Sequence, residues 1–176
     1  MKRILIAGIG NIFFGDDAFG CEVATELARR QLPDGLKVVD FGIRSYDLAY
    51  AIMDGYDATI LVDAVPRGEP AGTIYLMEID IKKLDETGGE SVNAHSMNPV
   101  QVLGLVRSLG GDAGRLYLVG CEPAVLETDE MGLSETVRTA VPHAIQMIEA
   151  LVADLLAGRA VTISNSMKTK ARVRSD

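Results

Sequence analysis

Three aspartates and one histidine, Asp17, Asp40, Asp63 and His95, stand at the ends of short apolar runs or in the loops that follow them. Two carboxylates and an imidazole converging on one point suit a divalent metal ion. Imidazole favours nickel or zinc, and carboxylates widen the range. Three protein ligands leave coordination positions open to an outside group. The set offers no thiolate, so it is weak for a permanently held soft metal, and a partner would complete the coordination. Each residue also has a plainer role. Asp16 or Asp17 could cap the first helix, Asp63 before Ala64-Val65-Pro66 could form a turn, and His95 could be an ordinary loop histidine. His143, after Pro142 in an apolar-periodic segment, reads as structural. The placement of four such residues at one edge is what points to a site.

The elements that must position them follow from the hydrophobic pattern. Lys2 to Gly8 is an apolar run closing on glycine, the pattern of a buried parallel strand. Phe19, Val23 and Leu27 recur at helical spacing and predict a helix from about Ala18 to Gln31. Leu36 to Phe41 reads as a second strand, and Tyr46 to Met53 as a helix with Ser45 as its N-cap. Ala58 to Val62 is a third buried strand ending at Asp63. Only about ten residues separate it from the next strand, Thr73 to Met77. A parallel crossover needs a dozen or more, so this fourth strand is expected to run antiparallel at a sheet edge.

Glu78 to Ala94 reads as a long surface loop of the kind that often carries function. Asn98-Pro99 then opens a helix to about Leu109, with Val102, Val106 and Leu109 on its apolar face. Arg115 to Gly120 is a fifth strand, and Ser134 caps a long final helix lined by Val137, Val141, Ile145, Ile148, Val152 and Leu155. Alternating strands and helices predict a three-layer α/β/α domain over residues 1–158. In such sheets ligands bind beyond the carboxyl ends of the strands, which is where the four candidate residues fall.

Composition narrows the function. The 176 residues hold 17 basic and 25 acidic side chains, for a net charge of −8. Residues 159–176 hold five basic residues against one acid and have the composition of a disordered tail, so the preceding 158 residues carry −12. A balance this acidic argues against nucleic acid and against an anionic membrane surface as the partner. Cys21 and Cys121 form neither a CxxC motif nor a zinc spacing, and two cysteines are expected to stay reduced in a cytoplasm. The start Met1-Lys2-Arg3 before an apolar stretch imitates a signal peptide, but Gly8, Gly10, Asn11, Asp16 and Asp17 interrupt it and no cleavage site follows. No apolar run approaches the roughly 20 residues of a bilayer span. No apolar stripe stands out, and a monomer is expected.

Motifs narrow it further. HExxH, GK[ST] and GxSxG are absent, which removes zincins, P-loops and serine-hydrolase elbows. Gly8-Ile9-Gly10 begins like a dinucleotide fingerprint, with Asp40 where a ribose-binding acid would stand. Phe13 occupies the place of the third glycine, and two aspartates in a phosphate-facing loop would repel pyrophosphate. A nucleotide-binding enzyme is therefore the weaker alternative.

The run from Gly8 through Asn11, Gly15, Asp16 and Asp17 to Gly20 resembles the N-terminal signature of the hydrogenase maturation endopeptidases. Three further segments follow the same pattern in order. They are Leu61-Val62-Asp63-Ala64-Val65 with Pro70-Ala71-Gly72-Thr73, then His95-Ser96-Met97-Asn98-Pro99, then Gly120-Cys121-Glu122-Pro123 with Gly132-Leu133-Ser134. The resemblance spans about residues 3 to 157. It implies a five-stranded mixed sheet of order 2-1-3-5-4 with strand 4 antiparallel. It implies that Asp17, Asp63 and His95 bind metal, the first position often being glutamate in the family, so that aspartate here shortens the reach. The family's usual Asp-Gly-Gly or Asp-Gly-Thr run reads Asp40-Phe41-Gly42-Ile43 here. Asp40 and Gly42 are kept, Gly42 as a substrate contact, and Phe41 is the departure expected to reshape that contact.

The activity implied is removal of a C-terminal peptide from the large-subunit precursor of a nickel–iron hydrogenase after nickel insertion. Nickel would arrive on precursor thiolates, with no organic cofactor. The metal could polarise the scissile carbonyl or activate water. Alternatively it serves recognition only, with Asp40 or Asp17 as general base or with two carboxylates sharing a proton. Metal recognition with carboxylate-assisted attack by water, drawing on Asp17, Asp40 and Asp63, is the expected form. A nickel-checking chaperone that grips the large subunit without cutting it would use the same residues.

Overall fold

In the computed structural model, residues 1–85 and 99–163 are described. Five strands form one sheet: β1 (Ile4–Ile9), β2 (Leu36–Gly42), β3 (Ala58–Ala64), β4 (Ile74–Ile79) and β5 (Arg115–Cys121). Their order is β2-β1-β3-β5-β4. All neighbours are parallel except β4 and β5. The short link after β3 cannot accommodate a crossover helix, so β4 returns antiparallel at the edge, as its length requires.

Four helices cover the sheet: α1 (Phe19–Ala28), α2 (Ser45–Ile52), α3 (Pro99–Ser108) and α4 (Glu135–Ala157). Side chains of a strand alternate between faces, and β1 divides its residues accordingly. Ile4 and Ile6 join Phe19, Val23 and Leu27 of α1 and Val137, Ile145, Ile148 and Val152 of α4 in one core. Leu5, Ala7 and Ile9 join Leu48 and Ile52 of α2 and Val102 and Val106 of α3 in the other. All six residues of β1 and all seven of β3 are buried. These strands occupy the middle of a sheet covered on both faces, which is why they read as continuous apolar runs.

Local differences from the sequence reading have local causes. Gly15–Ala18 forms a separate 3-10 turn, and α1 begins only at Phe19. Ser45 is the first residue of α2 and not its cap; Arg44 holds the cap position, and no side chain bonds there. β4 continues through Glu78 to Ile79, and Ile81–Asp85 forms a 3-10 helix, so the expected long loop begins later. The remainder of that loop, with His95 and Asn98, lies outside the described residues. Ser134 does cap α4, its hydroxyl accepting from the Val137 N–H at 3.4 Å. By length and composition α4 could span a bilayer, with a mean hydropathy of 1.4 over 18 residues. In the fold its apolar face fills the core against α1 and β5. Val161 and Ile163, assigned to the tail, also pack partly buried against that core. The folded unit therefore passes residue 158, and residues 164–176 lie outside the described set.

Candidate active site

α1 is seated tightly on the sheet because a glycine lies at its contact. A Cβ on Gly20 would collide with the carbonyl oxygens of Ile9 and Val62. The close approach places the preceding 3-10 turn against β3. Gly10 has φ +143°, and a Cβ there would collide with the Asp17 carbonyl oxygen. Only glycine fits both the conformation and the contact. The outcome is that Asp17, from the loop after β1, comes within electrostatic reach of Asp63, from the end of β3.

Asp63 is 3% exposed, and its Oδ1 has no hydrogen-bond partner among the described residues. Burial holds its carboxyl well above the usual carboxylate range; the Asp17 charge adds to this, and a hydrogen bond from the Ala64 backbone opposes it. Asp17 is half-buried, and its Oδ2 accepts the Asn11 N–H at 2.8 Å. Burial raises its carboxyl too, against that backbone bond. Two close carboxylates that resist ionising together can hold one proton between them or a cation.

Asp40 ends up exposed beside Gly8 of β1. Its Oδ1 accepts the Gly42 N–H at 3.0 Å, in a tight turn where Gly42 takes φ +57°. The Gly42 carbonyl accepts the Gly10 N–H at 3.0 Å, so Gly42 joins the loops after β1 and β2. Phe41, the departure from the family's pattern, is 5% exposed and lies in the α2/α3 core. Its side chain is turned to packing, and the exposed apolar residue of this loop is Ile43.

Cys21 carries no signal in the sequence, because it belongs to no cysteine motif. Its buried thiol donates to the Gly10 carbonyl at 3.4 Å. Burial pushes the thiol up, Asp40 adds to this, and the charges of Asp17 and Asp63 follow. All three aspartates therefore lie within electrostatic reach of one side chain at the start of α1. The Asp17 charge acts on Asp63, and Asp17, Asp40 and Asp63 each act on Cys21, while His95 lies outside the described residues. Among the described residues no group of three His, Cys, Asp or Glu side chains is placed to hold a metal ion.

Two acids near the site are structural. Asp16 is fully buried and caps neither the 3-10 turn nor α1. Its Oδ2 accepts from the Ala124 and Val125 N–H groups, both at 2.8 Å, and from the Ser134 hydroxyl at 3.0 Å. Its Oδ1 accepts the Ser134 N–H at 2.7 Å. Glu122, just beyond β5, is buried, and its Oε2 accepts the Arg67 N–H at 2.7 Å.

A family model described as hydrogenase maturation protease matches residues 21–151. The chain belongs to that family. A Methanocaldococcus jannaschii protein with a provisional hydrogenase maturation protease name is 35% identical over 150 residues, 84% of this chain and 94% of that protein. The solved hydrogenase maturating endopeptidase of Escherichia coli has a TM-score of 0.72 at 29% identity, covering 89% of this chain and 94% of that one. The hydrogenase 2 maturation peptidase of a Thaumarchaeota archaeon has a TM-score of 0.66 at 30% identity, covering 86% and 99%. This hydrogenase maturation protease is thus a peptide-bond hydrolase, and its sheet order and antiparallel edge strand are those its resemblance implied.

Proposed function

We propose that this protease removes a C-terminal peptide from the nickel-loaded large-subunit precursor of a nickel–iron hydrogenase. The observation that carries the reading is the buried Oδ1 of Asp63, unpartnered among the described residues and within electrostatic reach of Asp17. A buried carboxylate oxygen without a donor is costly. A cation brought by the substrate would satisfy it and draw both carboxylates into their charged forms. Nickel is here part of the substrate, held by precursor thiolates, and Asp17, Asp63 and His95 are its proposed docking ligands on this chain. The chain needs no organic cofactor in this scheme.

The cutting step is assigned to water activated by a carboxylate. Asp40 is exposed at the strand end and is the proposed general base, taking a proton from the attacking water. The Gly42 turn holds the Asp40 carboxylate by a backbone hydrogen bond, and Gly42 is the proposed substrate contact beside it. Both cysteines are free and buried, in keeping with a reducing compartment, and the proposed location is the cytoplasm.

The test mixes the protein with nickel-loaded and nickel-free precursor from the same organism and follows precursor mass. Loss of a C-terminal peptide from the nickel-loaded form alone is the expected result. Equal cleavage of both forms would remove nickel from the reading. Binding without cleavage would make the protein a nickel-checking chaperone.

A further inference from the structure

The loops after β1 and β2 leave large apolar side chains in water at the edge of the aspartate site. Ile12, Phe13 and Phe14 follow β1, and Ile43 and Tyr46 follow β2, all of them exposed. Phe13 is 57% and Ile43 59% exposed. The two loops are joined at their roots by the bond from the Gly10 N–H to the Gly42 carbonyl. The turn carrying the phenylalanines is tied as well. The Asn11 side chain accepts the Phe13 N–H at 3.0 Å, the Asn11 carbonyl accepts the Phe14 N–H at 3.2 Å, and the Phe14 carbonyl accepts the Asp17 N–H at 3.0 Å. Asp17 is thus both a site carboxylate and the anchor of the apolar turn.

Single exposed apolar residues are ordinary, but a contiguous group beside a functional site marks a contact surface. Here the aromatic side chains are held out on a preformed turn, which lowers the ordering cost of binding. We propose that Ile12, Phe13, Phe14, Ile43 and Tyr46 form the docking face for the folded body of the large-subunit precursor. This rests on the reading under Proposed function and extends it from the scissile segment to the partner's surface.

Charge selects this occupant over a second copy of the chain. A two-fold dimer would set the same patch against itself. The face borders Asp17 and Asp40, so two copies would bring like charges together at its margin, which is unfavourable. An apolar partner surface that flanks a bound cation matches both features, with its apolar part on the aromatic loop and its cation on the carboxylates.

The test compares wild type, the double variant Phe13→Ser/Ile43→Ser, and a control, Leu109→Ser. Leu109 is also exposed but lies just after α3, away from the loops of the site. Thermal unfolding confirms that each variant is folded. The dissociation constant for nickel-loaded precursor is measured by calorimetry, with KM and kcat for its cleavage. The double variant is expected to bind at least about tenfold more weakly, the size of an interface hot spot. KM should rise by a similar factor with kcat retained, and the control should match wild type. Unaltered binding by the double variant, with wild type cleaving normally, overturns the docking face and leaves the proposed activity standing. Binding through this face without cleavage by wild type supports the face and overturns the activity. Wild type that fails to bind the precursor overturns both. A wild type that is dimeric by light scattering and made monomeric by the double variant overturns the choice of occupant.

Discussion

Asp16 and Asp17 are neighbours in the chain with opposite fates. Asp16 is fully buried with both oxygens engaged, receiving three N–H groups and one hydroxyl from the segment between β5 and α4. Asp17 is half-buried, takes one backbone N–H, and adds its charge to the surroundings of Asp63, whose Oδ1 has no partner among the described residues. One carboxylate closes the structure and the other keeps it open. A saturated buried carboxylate stabilises the fold through charge-assisted hydrogen bonds. An unsaturated pair raises the energy of the free protein and leaves capacity for a cation or a proton. Sequence adjacency says nothing about which role a carboxylate takes; the donors around it decide.

The sharpest way to break this comparison is to neutralise the open side. Asp63→Asn should lower the cleavage rate by about a thousandfold, the size of losing one partner of a buried charge pair, because a proposed docking ligand for the substrate's cation is lost, while thermal stability holds or rises. Precursor mass spectrometry and a melting curve together check it. A variant that melts early and still cleaves would place Asp63 with Asp16 as a structural acid. On the closed side, Asp16→Ala should cost about 3 kcal/mol of stability, because it strands several buried donors. Urea unfolding measures that loss.

A pH series sharpens the contrast. The folded carboxyls of Asp63 and Asp17 lie above their ordinary value of 3.8. The native state therefore binds more protons than the unfolded chain between 3.8 and the raised values. The stability from these groups is complete below that window. It is lost as pH rises through the window, by at most about 1.4 kcal/mol per pH unit for each group. Asp63→Asn should flatten this decline, so its melting advantage over wild type should grow as pH increases above about 4, where the unfolded carboxyl titrates. An advantage independent of pH would mean that Asp63 is not held protonated. The smallest expected effect is Ser134→Ala, about 2 kcal/mol of stability for a lost N-cap and a lost hydroxyl bond to Asp16. Its cleavage rate should stay unchanged when measured well below the melting temperature.

The strands and the antiparallel edge were legible because they depend on local facts. β1 is a continuous apolar run and β3 a largely apolar one up to Asp63, and the link from Ala64 to Ile74 is too short for a crossover. Ser134 was legible as a cap for the same reason, since its partner Val137 lies three residues away. Ser45 misleads because the cap signal is weak by itself, and the chain enters helix one residue earlier. Asp17, Asp40 and Asp63 were read from their places at the strand ends and from the family resemblance, and in the fold the charge of each acts on the Cys21 thiol. Cys21 itself had no signal, because its significance is who surrounds it.

The sequence by itself determined the element types, the sheet's one reversed strand and the acidic residues at the strand ends, because periodicity and link length act over a few residues. The tertiary structure alone decided which acid is saturated and which is not. Asp16 finds its donors more than a hundred residues away in the segment from Ala124 to Ser134. Asp63 loses its solvent only when α1 closes on β1 and β3 through Gly20. Burial and hydrogen-bond supply are properties of the packed chain, and they set the charge that a carboxylate can carry.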